Sequence, residues 1–157
     1  MQKNVNTTSF QSVKHLPEFN IAIFSFLLNF VWELMQAPFF LSLDDVSHWD
    51  GILICLKATL GDVLIALSAF WVTSYLSKNR QWIYFASGLQ ITVFLFVGIS
   101  ITVVLEIYNT QFAKNWSYSD RMPLVPPFDI GLAPLLQWLL VPMLVLWFVR
   151  RQSMGPS

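Results

Sequence analysis

The chain has 157 residues, 55% of them hydrophobic and only 11% charged, whereas a soluble domain carries about a quarter of charged residues. One small core cannot bury so much apolar surface, so a soluble globular fold is excluded. Nine basic and nine acidic side chains cancel and leave no global field to hold nucleic acid, and a lone Cys55 excludes an internal disulfide framework.

In chain order, residues 1–18 form a polar leader carrying Lys3 and Lys14. A single transmembrane domain is expected over 19–149, with spans at about 19–43, 52–76, 82–108 and 130–149, followed by a tail at 150–157. Each apolar run meets the ~20 residues needed to cross ~30 Å of hydrocarbon. Unpaired backbone groups are too costly in lipid, and no run alternates as a barrel strand does, so helix is the expected form. The fold class is therefore all-α, an integral membrane four-helix bundle. Pro38 and Pro142 fall inside spans and predict kinks, while Pro134 can open the first turn of the fourth helix. The first run is too long for a signal peptide, carries Glu33, and lacks a small-residue cleavage site.

Basic residues set the orientation. They occur in the leader, at Lys78 and Arg80 in the second loop, and at Arg150 and Arg151 in the tail. The first loop holds Asp44, Asp45 and Asp50 and no Lys or Arg, and only the third loop, with Lys114 and Arg121, is discordant. Both termini are thus expected to be cytoplasmic. Trp82 and Trp147 suit the inner interface, Trp49 and Trp116 the outer one.

Ionisable groups inside a span cost at least about 2.5–3.5 kcal/mol and demand a reason. Glu33, Lys57, Asp62, Glu106 and Gln137 are all expected in the outer half of the membrane. Asn29, Glu33 and Gln36 form one helical stripe, Cys55, Thr59 and Asp62 a second, and Gly98, Thr102 and Glu106 a third. Such stripes should face the bundle interior, and Gly61 beside Asp62 should let a neighbouring helix approach. The bland alternative is that Asn29, Gln36, Thr59, Gln90 and Thr102 simply bond across helices as structural glue, with Lys57 neutralising an acid or snorkelling outward.

The third loop and the start of the fourth span read EIYNTQFAKNWSYSDRMPLVPPFDIGLAPLLQ. Aromatics, prolines and paired charges predict either a packed lid or an interfacial aromatic belt. No HExxH, CxxC or phosphate-binding glycine loop occurs, so neither metal nor cofactor is expected.

WELMQAPFF, KATLGDVLI and the stretch from Glu106 to Gln137 resemble a set of small prokaryotic four-helix membrane proteins. That resemblance implies an inner (plasma) membrane location. In the last third of the chain, Glu106, Trp116-Ser117-Tyr118, Pro134-x-x-Gln137 and Pro142 also resemble the membrane carotenoid (lycopene) cyclase domain. The cyclase pattern has an acid where Gln137 stands, and an amide cannot protonate a polyene.

Three functions are compatible with these residues. The first is an enzyme whose acidic pocket opens outward onto an apolar, isoprenoid- or carotenoid-like lipid. Glu33 and Asp62 would be the buried acids, one donating a proton, and Glu106 the rim acid. Gln137, Asn29 and Gln36 would orient substrate, Trp116 and Tyr118 would stack on it, and Arg121 would pair with Asp120 or a polar head. The second is a proton or small-cation transporter using the same acids. The third is a noncatalytic subunit of a homo-oligomer or larger membrane complex.

Overall fold

The computed structural model describes residues 16–41 and 46–153. Lys3, Lys14, Asp44, Asp45 and the last residues of the tail lie outside them. Four helices make the fold: α1 (Pro17–Gln36), α2 (His48–Ser77), α3 (Gly88–Ile107) and α4 (Leu132–Ser153). All four are long and apolar enough to cross a bilayer, so the protein is an all-α integral membrane bundle. α1 packs against α2 and α4, and α3 packs against the same two, which closes a four-membered ring.

Local chemistry sets the helix limits. Pro17 occupies the first turn of α1, where its missing N–H is no loss. Ser47 caps α2 by accepting from the Asp50 N–H at 3.2 Å. Ser87 and Gln90 form a reciprocal capping box that starts α3 at Gly88, so Trp82–Phe85 is a separate 3-10 turn ahead of it. Gln90 is accordingly a cap and not cross-helix glue. Pro38 does not kink α1, because the α-helix ends at Gln36 and tightens into a 3-10 turn over Ala37–Phe39. Pro142 does lie inside α4.

The bundle exposes apolar side chains and buries a layer of polar ones. Leu27, Val31 and Met35 of α1, Leu64 of α2 and Phe96 of α3 are exposed, as lipid-facing side chains must be, whereas Asn29, Gln36, Thr59, Asp62, Thr102 and Gln137 are buried. At the end carrying Arg80 and Arg150 the interior is a packed apolar plug of Phe70, Trp82, Phe94, Val145 and Val149. Trp82 is wholly buried there, not at an interface. Its indole N–H donates to Ser74 Oγ at 3.1 Å, and its ring meets Phe70 and Phe94 at 5.8 and 5.6 Å. An internal partner for the N–H removes the reason for an aromatic to stay at the headgroups.

The close approach between helices occurs at Gly98, not Gly61. A Cβ at Gly98 would sit 2.4 Å from two atoms of the Trp138 ring, while one at Gly61 would meet nothing within 4 Å. Gly98→Ala should therefore lower stability by about 1–3 kcal/mol through overpacking, and Gly61→Ala should be nearly neutral. Thermal unfolding of both variants in detergent checks this, and equal midpoints for the two would contradict it.

At the opposite end α3 widens into a π turn over Tyr108–Phe112, and the chain then folds back over the bundle. Ser117–Ser119 pairs with Phe39–Leu41: the Leu41 N–H donates to Ser117 O at 3.0 Å and the Ser119 N–H to Phe39 O at 2.9 Å. A hairpin of two-residue strands pairs Leu124–Val125 (β1) with Ile130–Gly131 (β2) before α4 begins. The third loop is thus a cap hydrogen-bonded to the segment that follows α1.

Candidate functional site

The α1 stripe brings Asn29, Glu33 and Gln36 to one face, and Gln137 of α4 projects against all three. The Gln137 amide nitrogen donates towards Asn29 Oδ1 at 3.0 Å, Glu33 Oε1 at 3.1 Å and Asp62 Oδ2 at 2.9 Å. Two amide hydrogens thus serve three acceptors from two helices. Gln36 Nε2 donates to Glu33 Oε1 at 2.8 Å and to Gln137 Oε1 at 3.3 Å, and the Trp32 indole donates to Gln36 Oε1 at 3.2 Å. Behind them the Asn29 amide donates to the Ser25 carbonyl and hydroxyl at 2.9 and 3.0 Å.

The α2 stripe supplies Asp62. Its carboxyl group shares the Gln137 amide with Glu33 and lines the same cavity as Glu33 and Trp138. Thr59 returns its hydroxyl to the Cys55 carbonyl at 2.8 Å, and the Cys55 thiol approaches the Glu33 carbonyl at 3.8 Å. The two acids are therefore pinned together by one amide, with their helices tied beside them.

Glu106 forms a second, separate acidic site. Its Oε2 accepts from the Tyr118 hydroxyl in a short hydrogen bond and from the Trp116 indole at 3.4 Å. Tyr118 rests against Phe40 at 5.6 Å. Gly131 leaves room for the ring, since a Cβ there would come within 2.9 Å of Tyr118 Cε1. Burial and the neighbouring Glu106 both push the Tyr118 hydroxyl above the usual tyrosine range, so it stays a donor.

The two acidic sites share one cavity of ≈ 410 Å³. Glu33, Gln36, Asp62, Glu106, Trp116 and Gln137 line it, together with Lys57, Thr102 and the apolar Phe40, Ile54, Ile65 and Leu105. Asn29 sits one layer behind, bonded to Gln137, and Tyr118 sits behind Glu106. Asp120 and Arg121 are not brought in. The Met122 N–H closes a turn onto Ser119 O at 3.0 Å, which buries Met122 and leaves Asp120 and Arg121 exposed at the apex. Lys57 lines the cavity but neutralises no acid within ion-pair distance; Arg80–Glu18 is the pair formed among the described residues.

Sequence reasoning missed Trp32 and Trp138. Trp32 was legible from its i, i+4 spacing to Gln36, but nothing local marks Trp138 as the partner of Gly98. The chain matches no family model, no curated protein and no solved structure.

Proposed function

We propose that the protein is a membrane-embedded acid–base enzyme acting on an apolar or amphipathic lipid. The observation that carries this reading is the pairing of Glu33 with Asp62 under one Gln137 amide, inside a cavity that also holds Glu106 in a different environment. Two carboxyl groups that accept from one amide nitrogen lie close together, and a shared proton relieves the repulsion between such neighbours. Glu106 accepts from a hydroxyl and an indole, a setting suited to an ionised carboxylate. One wall thus offers a proton and the other a base, the division of labour that acid–base catalysis requires.

The apolar plug at the other end argues against a transport path. Phe70, Trp82 and Phe94 fill the interior there, and Thr73 and Ser74 in the same region return their hydroxyls to their own helix. A cavity closed at its base suits turnover better than passage. The noncatalytic reading is separated by assaying lipid products from membranes containing the wild-type protein or Asp62→Asn. Equal lipid profiles would leave the subunit reading as the better account.

In the proposed orientation both termini and the Ser77–Gln81 loop are cytoplasmic, and the cavity belongs to the outer half of the bilayer. Lys78, Arg80, Arg150 and Arg151 support this through the basic-residue bias. Asn115 and Lys78 are both exposed on the protein, so engineered cysteines there report the membrane side directly. An impermeant thiol reagent should label Asn115→Cys in intact cells and leave Lys78→Cys unlabelled until the membrane is opened; the inverse pattern would place the cavity in the inner half.

A further inference from the structure

Polar demand in the cavity is one-sided. The Gln36 and Gln137 amides and the Trp116 indole in its wall already give their N–H groups to neighbouring side chains. The acids still have acceptors to spare. Both donors that reach Glu106 bond to Oε2, and both that reach Glu33 bond to Oε1. Glu106 Oε1 and Glu33 Oε2 therefore lack a donor among the described residues. Neither is sealed away, since the oxygens there that are both buried and unpartnered are Glu18 Oε2 and Thr102 Oγ1. Both glutamates line the cavity, so an occupant can reach them.

Charge is one-sided as well. Three carboxyl groups line the cavity, and Lys57 forms no ion pair with any of them; Arg80–Glu18 is the pair formed among the described residues. A carboxylate taken out of water without a counter-charge is strongly disfavoured. An anionic head would add like charge. An alcohol brings one hydrogen and no charge, whereas an ammonium brings three hydrogens and the missing charge. The exposed lining residues Ile54 and Ala58 of α2 and Leu105 of α3 place the opening along the α2–α3 seam. That rim is apolar, apart from Lys57, and suits a hydrocarbon chain.

We propose that the cavity takes the protonated amine head of a single-chain amphiphile, its N–H groups donating to Glu106 and Glu33 and its chain leaving between α2 and α3. This deepens the acid–base reading by naming the occupant, and it rests on that reading for the ionised state of Glu106, not on turnover. Purified protein in neutral detergent is titrated with hexadecylamine, hexadecanol and hexadecanoate, which share one chain length, and bound amphiphile is read by native mass spectrometry. Hexadecylamine should bind about 10-fold or more tightly than either of the others, the value of one charge-assisted hydrogen bond. Glu106→Gln should weaken the amine by about the same factor, through loss of the charge, and leave hexadecanol unchanged. Lys57→Met, at the exposed rim, should bind the amine as tightly as the wild type or more so, because a like charge has gone. Alcohol or carboxylate binding as tight as the amine in the wild type overturns the proposal. So does wild-type amine affinity in Glu106→Gln, or weakened amine binding in Lys57→Met. Should Glu106→Gln fail to fold, the wild-type ranking and Lys57→Met still decide. Amine binding as expected, beside unchanged lipid products in Asp62→Asn membranes, would sink the enzymatic reading alone. Lost products in Asp62→Asn with no preference for the amine would sink this proposal alone.

Discussion

Gln137→Leu should cost about 3–5 kcal/mol of stability, the penalty for removing one partner from a buried charged network. Leucine fills much of the same volume, so the loss arises from polar groups and not from a hole. Asn29 Oδ1, Glu33 Oε1 and Asp62 Oδ2 all receive the Gln137 amide; without it Asn29 Oδ1 and Asp62 Oδ2 would have to find another donor, and Glu33 Oε1 would keep Gln36 alone. On the usual scaling this is a fall of roughly 10 °C in the detergent melting midpoint. Adding Asp62→Asn should recover part of the loss, since neighbours in one network are not additive and the amide brings its own donor. A Gln137→Leu protein melting with the wild type would show that the acids are held by something other than this amide.

Glu33→Gln and Asp62→Asn should leave the bundle folded and remove activity. Each swap keeps shape and hydrogen-bonding capacity but removes the ability to exchange a proton. A positioned acid or base contributes about 10²–10⁴-fold to a rate, so product formation should fall by at least the lower figure. If the acids were only glue, the same variants would be neutral or slightly stabilising, because burying an amide costs less than burying a charge. Melting midpoint and lipid product must therefore be followed together. Full activity at unchanged or raised stability in both variants would end the catalytic and proton-relay readings at once.

The four spans and the inward turn of the polar stripes were legible because both depend on local periodicity. A run of apolar residues has few options in lipid, and Asn29, Glu33 and Gln36 must share a face once the segment is helical. The meeting of Glu33, Asp62 and Gln137 was legible only as similar depth along three helices. Their hydrogen-bonding order depends on the ring order of the helices, which sequence spacing does not encode. Three readings failed for want of that information. Gly61 looked like a contact glycine because it adjoins Asp62, but the contact belongs to Gly98 and Trp138. Trp82 looked like an interfacial anchor, but Ser74 from the preceding helix satisfies it internally. Asp120 and Arg121 looked like part of the site, and a turn at Ser119–Met122 presents them to the surface instead.

One series of donors runs towards the acid pair. Trp32 donates to Gln36, Gln36 to Gln137, and Gln137 to the carboxylates. A chain of hydroxyls or waters can reverse its polarity and hop protons along its length, but an indole and two carboxamides cannot, because their nitrogens do not release protons near neutral pH. The chain is therefore a proton insulator that looks like a wire. Under the proposed acid–base reading, a proton given up by Glu33 or Asp62 would not return through this chain, which ties the reload of the acids to whatever occupies the cavity.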